Sequence, residues 1–328
     1  MPTAVRTAPS RTLDPRPAVV PAVVVAVDDA EPTPSADLRI AVAEARRRGA
    51  SIRVVHGCAT TSPAGIIGAS VTDERLRYGQ YVLTQAVRIL RELSGFKVDI
   101  ATVNSRDLGT ELLLAESQSA SLVVVLHTRT SLVRSMAGST AAVVAARARC
   151  PVLVVHPGDT AEIGTGVVVA AEDPGASTAL LRLAAAESVG RGASLTVVRP
   201  WPVPDDRWAA ARELSRGVSS AVAEDVAHEE LARAVQDLAA DFPTLTVLKQ
   251  LVCGSPVEVL VAASADASIL VLGRPEDPSP QGELPEMAAA LLSRAHCPVL
   301  VVQPTLVGSR PDTTSSPFGS THPTPEPR

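Results

Sequence analysis

Short, wholly apolar runs alternate along this chain with longer stretches whose apolar residues recur at helical spacing. The runs at 19–27 (VVPAVVVAV) and 167–171 (VVVAA) lack the apolar–polar alternation of a half-exposed strand. They suit strands covered on both faces, as in a parallel sheet. Helices are predicted at 35–48 and 176–189, with Gly49 and Gly190 or Gly192 as stops. Strands follow at 51–55 and 194–198, then long helices at 72–94 and 207–240, then third strands at 98–103 and 244–251. Helices at about 110–119 and 256–265 lead to fourth strands at 122–126 and 269–272. Closing helices at 139–149 and 286–295 enter fifth strands in the VLVV runs at 152–155 and 299–302.

The same order is thus written twice. ARCPVLVVHP at 148–157 returns as AHCPVLVVQP at 295–304, offset by 147 residues and differing only at Arg149/His296 and His156/Gln303. RGASIRVVHG at 48–57 returns as RGASLTVVRP at 191–200, offset by 143. The segments 107–126 and 254–273 also register at 147. Matched blocks in one order mean a duplicated unit of about 145 residues. Strand–helix alternation with right-handed crossovers places helices on both sheet faces. The predicted fold class is α/β: two tandem, doubly wound, five-stranded parallel-sheet domains of Rossmann-like type, at 18–157 and 165–304. Ligands of such sheets bind beyond the carboxyl ends of the strands, where the strand order reverses. The tails, 1–17 and 308–328, are rich in Pro, Ser, Thr and Arg without apolar pattern, and are expected to be disordered.

Composition sharpens the picture. Apolar residues make up 46% and aromatic residues only 2%, so cores must be built from Ala, Val and Leu. Lys occurs only at 97 and 249, which leaves 28 of the 30 basic residues as Arg. A formal net charge of -5 argues against a nucleic-acid or anionic-membrane partner engaged through bulk charge. No apolar run is long enough to span a bilayer. Arg6, Arg11 and Arg16 precede the first run, yet Pro2, Pro9, Pro15 and Pro17 spoil a leader and the run recurs mid-chain. Cys58, Cys150, Cys253 and Cys297 stand far apart without a CxxC pair, as in a reduced cytoplasmic protein, and the expected location is cytoplasmic.

Little catalytic chemistry is visible. Neither lysine follows Walker-loop spacing, and Gly164-Thr165-Gly166 precedes a strand instead of following one. The stretch from Gly175 to Ala179 lacks the last glycine of a nucleophile elbow and reads as a helix start. The histidines show no i, i+4 pair, which removes a zinc motif. His56 and His127 fall at strand ends near the expected cleft and admit two readings, ligand contact or strand capping. Cys150 and Cys297 precede Pro and enter buried strands, so they read as packing residues. Asp28-Asp29 has no second carboxylate at fixed spacing, so no acid/base pair is indicated. Arg75, Arg77, Arg88 and Arg91 could form a binding face on the first long helix, but Glu74 and Glu92 intersperse and favour a solvated exterior.

These features together resemble the universal stress protein family in its tandem two-domain form. The carrying residues are the first strand ending at Asp28, the RGASIRVVHG block, and Gly138-Ser139-Thr140 placed twelve residues before Cys150-Pro151 and VLVV. ATP-binding members carry G-x2-G-x9-G-[ST] after the fourth strand. Its glycines let backbone approach phosphate, and helix N-terminal amides hold the charge. The resemblance implies that Asp28 meets the nucleoside end and that Gly138 with the Ser139 and Thr140 amides meets phosphate. The ligand so implied is ATP, another adenine nucleotide, or a different anion. Here Leu126 and Arg129 replace the first two glycines, and the loop is one residue short. His127, Arg129 and Arg134 nevertheless make it basic, and Arg129 or Arg134 could clamp an anion. The plainer alternative makes these arginines solvated loop residues and Ser139 or Thr140 an N-cap.

The second copy departs further. Gly273 keeps the first glycine, but Glu276 takes the second, and Pro285-Glu286 stands where the first copy has Gly138-Ser139. Proline has no N–H to donate, and a carboxylate at a helix start repels phosphate. Glu276, Asp277 and Glu283 make that loop acidic, and Glu172 replaces the strand-one Asp. The resemblance implies a regulatory or protective protein that is not an enzyme, with an unknown protein partner. It also implies that the two domains pair as a pseudo-dimer through their VLVV strands. A ligand-free scaffold with both clefts vestigial is the alternative, and a hydrolase of nucleotide phosphoanhydrides the least supported one.

Overall fold

The structure, a computed structural model, describes residues 21–28, 34–58, 61–62, 65–66, 69–127, 139–160, 164–171, 177–201, 220–274 and 283–303. Both predicted disordered tails lie outside these residues, as does the 207–219 part of the second long helix. The chain divides into two compact units, Met1–Leu126 and His127–Arg328.

In the first unit, β1 (Ala22–Ala26), β2 (Ser51–Gly57), β5 (Ile100–Ser105) and β6 (Ala120–Leu126) form a parallel sheet in the order β6-β1-β2-β5. A two-residue hairpin, β3 (Thr61–Ser62) with β4 (Gly65–Ile66), was not foreseen from the sequence. It is too short to carry a periodic signal. Helices α1 (Ala36–Arg48) and α2 (Ala69–Ser94) pack against each other and against the sheet, while α3 (Gly109–Glu116) packs on β1 and β2. Right-handed crossovers require this: the chain steps outward from β1 through α1 and α2, then returns past β1 by α3 on the opposite face. The direction of stepping therefore reverses beside β1.

In the second unit, β8 (Gly166–Ala170), β9 (Ser194–Trp201), β10 (Val247–Cys253), β11 (Ala267–Gly273) and β12 (Val299–Val302) repeat this arrangement in the order β10-β9-β8-β11-β12. Strand β7 (Val152–Val155) is counted within the second unit. It pairs antiparallel with β12, Val299 opposite Val154 and Val301 opposite Val152. The pairing of the two VLVV runs expected from the sequence is therefore present, and it covers what would otherwise be a bare apolar edge. The helices of this unit are α4 (Thr140–Arg147), α5 (Thr178–Arg191), α6 (Ser220–Asp241), α7 (Pro256–Ala263) and α8 (Glu286–Arg294).

Burial explains the residue choice. Val23, Val24 and Val25 in β1, Val123 and Val124 in β6, and Leu270 and Val271 in β11 are all fully buried, because helices cover both faces of central strands. The terminal strands differ: β5 and β10 carry half-buried and exposed positions with no buried one. Helices α1 and α5 end at Gly49 and Gly192, whose φ of 60° and 64° place them in the left-handed region that closes a helix without penalty. No described helix is long and apolar enough to cross a membrane.

Candidate functional site

Beyond Ala26 the strand continues for one residue, as the Val27 N–H donates to the Val55 carbonyl at 3.0 Å. Asp28 then emerges exposed at the carboxyl end of β1, beside the strand-order reversal. His56, at the end of β2, is only 6% exposed. Its Nδ1 lies 2.7 Å from the Val27 carbonyl oxygen. That oxygen can only accept, so Nδ1 carries the hydrogen and the imidazole pins the backbone immediately before Asp28. Of its two readings, strand capping is the one this bond supports.

The imidazole fits because α2 presents Gly79 to it. A Cβ there would stand 2.5 Å from His56 Cδ2 and 2.6 Å from Asn104 Oδ1. Asn104, near the end of β5, donates from Nδ2 to the Leu76 carbonyl at 2.8 Å, while its Oδ1 is buried without a hydrogen-bond partner among the described residues. Sequence reasoning overlooked both Gly79 and Asn104. A glycine inside a long helix costs about 1 kcal/mol against alanine and was the available signal.

The expected phosphate end of the site is described only in part. Arg129, Arg134 and Gly138 lie outside the described residues, whereas Ser139 and Thr140 open α4. Ser139 is the N-cap: its Oγ accepts the Ala142 N–H at 3.1 Å and its carbonyl accepts the Val143 N–H at 3.0 Å. The hydroxyl oxygen thus accepts from the helix, and its own O–H still has a hydrogen to donate. Thr140 is exposed, and the first turn carries no acid.

The start of α8 is built differently. Pro285 is its N-cap residue with no side-chain cap, and Glu286 puts an exposed carboxylate in the first turn, where it meets the positive end of the helix dipole. Glu172, Glu276 and Asp277 lie outside the described residues, while Glu283 is exposed. Gly273 ends β11, and a Cβ on it would lie 3.1 Å from Leu180 Cδ2. Packing against α5 therefore accounts for this glycine without any ligand.

At its far end α4 is held by a residue that sequence reasoning ignored. The Arg274 guanidinium donates to the Ala146 and Ala148 carbonyls, and to Gln303 Oε1 at 3.0 Å. Its backbone N–H donates to the Val302 carbonyl at 2.8 Å. Burial pulls this guanidinium below its ordinary pKa, with Cys150 acting against that shift and Arg149 with it. The corresponding positions in the first copy are His127 and His156. The His127 N–H donates to the Val155 carbonyl at 2.7 Å, and its ring meets that of His156 edge-on at 5.8 Å. His156 is buried; its Nε2 lies 2.7 Å from the Leu292 carbonyl of α8, and its Nδ1 faces Asp159 Oδ2 at 3.3 Å. Related positions thus tie down the last turns of α4 and α8. The His127 alternative of ligand contact gains no support from this placement.

Cys297 is buried, and burial first, then Asp159, pushes its thiol up to about 12, while a backbone N–H from Leu270 acts the other way. That is the character of a packing residue. Among the described residues no group of His, Cys, Asp and Glu is placed to hold a metal ion.

A sequence model described as the Universal stress protein family matches this chain twice, over residues 21–156 and 166–303. The chain belongs to the universal stress protein family. A universal stress protein of Mycobacterium tuberculosis is 26% identical over 232 residues, which cover 69% of this chain and 77% of that protein. A universal stress protein of Mycobacterium bovis matches to the same extent, 26% over 232 residues. The crystal structure of a universal stress protein from Archaeoglobus fulgidus covers 85% of this chain and 96% of its own at a TM-score of 0.58 and 15% identity, a likeness of fold. The resemblance drawn from Asp28, the repeated blocks and Gly138-Ser139-Thr140 is therefore confirmed, and with it the tandem α/β fold.

Proposed function

We propose that this tandem universal stress protein is a regulatory or protective, non-catalytic protein of the cytoplasm. Its first repeat binds an adenine nucleotide, ATP in the first instance, and its second repeat has lost the phosphate site. Asp28 meets the ribose or base. The amides at Gly138, Ser139 and Thr140 receive phosphate, and Arg129 or Arg134 clamps it. The supporting observation is the contrast between the helix starts: α4 has a serine cap and no acid in its first turn, whereas α8 has Pro285 and Glu286. An unopposed helix N-terminus favours an anion, and a carboxylate already seated there disfavours one.

Equilibrium dialysis against ATP, ADP and cyclic AMP tests this reading. Saturable binding of one nucleotide, lost in Asp28→Ala and in Gly138→Pro, is the expected result. Absence of binding at millimolar nucleotide refutes it and leaves the ligand-free scaffold, a reading that the bulk of Leu126 and Arg129 favours. Phosphate release above blank that depends on Asp28 would instead establish a hydrolase.

A further inference from the structure

We propose that the open edge of β5, with the groove between it and α2, accepts an extended, acid-bearing peptide segment of a partner protein, added to the sheet as one more strand. Several independent features of the first unit converge on this place.

The first is the edge itself. Among the described residues strand β5 is terminal in its sheet and pairs with β2 alone. The Ile52 N–H takes the Asp99 carbonyl at 2.8 Å and the Cys58 N–H takes that of Ser105 at 3.0 Å. Main-chain groups alternate sides along a strand, so odd-numbered residues face β2. The N–H and C=O groups of Ile100 and Thr102 consequently point outward, with no main-chain partner among the described residues. Edge strands are ordinarily blunted by a lysine, a proline or a bulge. The other terminal strand, β10, carries Lys249, but β5 reads IATVNS and pairs with β2 in unbroken register.

The second is the groove. It encloses about 480 Å³ and is lined on the helix side by Leu83, Val87, Arg88 and Arg91, and on the strand side by Ile100 and Thr102. Ile100 and Thr102 are alternate residues, so they share the face toward α2. A strand laid along β5 would send every second side chain into this groove.

The third is the lining. Phe96 also borders the groove, is 76% exposed, and has φ of 60°. A bulky residue in the left-handed region is costly, and here it presents an aromatic ring to solvent instead of burying it. Arg88 pairs with Glu92 at 3.5 Å, while Arg91 has no ion pair among the described residues. The groove therefore offers apolar anchorage beside one uncompensated cation, which complements an occupant whose groove-facing side chains, every second residue, are apolar with one acid among them. The interspersed arginines of α2, which by sequence favour a solvated exterior, line this groove in part.

A phage-displayed library of random octapeptides, selected on the full chain and counter-selected on Thr102→Pro, tests the proposal. Proline removes an outward N–H that no ladder bond uses, so the sheet keeps its own pairing. Enriched peptides are expected to carry apolar residues at every second position with one Asp or Glu in that same register. By fluorescence anisotropy they should bind the wild type saturably and lose at least tenfold in affinity on Thr102→Pro and on Arg91→Glu. If Thr102→Pro fails to fold by circular dichroism, the exposed Arg91→Glu variant, with lysine-for-acid peptides as the reciprocal probe, reads the same contact. No enrichment, enrichment of basic peptides, or affinities that neither substitution changes would overturn the proposal. So would a concentration-dependent dimer in sedimentation that Thr102→Pro abolishes, because a second copy would then own the edge.

Discussion

Arg274 gives the sharpest handle on the second unit. Its guanidinium supplies donors to the Ala146 and Ala148 carbonyls in and just after the last turn of α4, and it reaches Gln303 as well. Those carbonyls have no intrahelical donor, as at any helix C-terminus, and the site is half-buried. Replacing Arg274 by Met keeps the apolar stem but leaves both acceptors unmet, at about 1–3 kcal/mol each. Regained hydration and the relieved burial of the cation offset roughly half of that loss, so the net cost is about 1–3 kcal/mol. For a unit of this size the loss corresponds to a fall in Tm of about 2–12 °C. Arg274→Lys keeps the charge, but a single ammonium cannot span two carbonyls as the planar fork does, and about half the loss is expected. Differential scanning calorimetry measures the shift. Hydrogen exchange locates it, because the Ala148 amide, bonded to the Val144 carbonyl at 2.9 Å, should lose protection. A Met variant within about 0.5 kcal/mol of wild type, or a Lys variant as stable as wild type, would refute the reasoning.

Further outcomes follow from the same structure. Gly79→Ala drives a methyl into His56 and Asn104 at contacts of 2.5 and 2.6 Å, and should cost about 1–3 kcal/mol in urea unfolding; a neutral effect would show that the His56 ring is free to move. Ser139→Ala should destabilise by about 1 kcal/mol through the lost cap, whereas Thr140→Glu should hold or raise stability while weakening nucleotide binding about tenfold, as dialysis would show. At pH 8 a thiol reagent should label exposed Cys253 quickly and leave Cys297 untouched until unfolding. Because the Cys297 thiol rises from 9.0 to about 12 on folding, the native state holds that proton more tightly. Its contribution to stability is complete below pH 9 and should drain away from pH 9 to 12, by at most about 1.4 kcal/mol per pH unit. A midpoint flat across that range would contradict the assignment.

Much of the candidate site was legible one residue at a time. Asp28 could be placed at a strand exit because VVVAV can only be a buried strand, and Ser139 at a helix start because a polar, capping residue precedes a helical run. Both placements depend on neighbours close in sequence. The roles of Asn104, Gly79 and Arg274 do not. Gly79 was one more helical glycine until β2 and β5 set His56 and Asn104 against it. Arg274 was one more loop cation until the fold carried it to α4 across a sequence separation of 128 residues.

The amino-acid order by itself determined the duplication, the strand–helix alternation and the family. These are recorded in local periodicity and in repeated blocks, and apolar runs without alternation leave a parallel, helix-covered sheet as the arrangement that buries them. It also determined that the later copy begins its last helix with Pro285 and Glu286. Only the tertiary structure decided which strands end a sheet, which carbonyls a distant side chain would reach, and where a groove would open between β5 and α2. Periodicity states how much of a segment must be hidden from water. Which surface hides it is fixed by packing between elements far apart in the chain, and no local pattern encodes that choice.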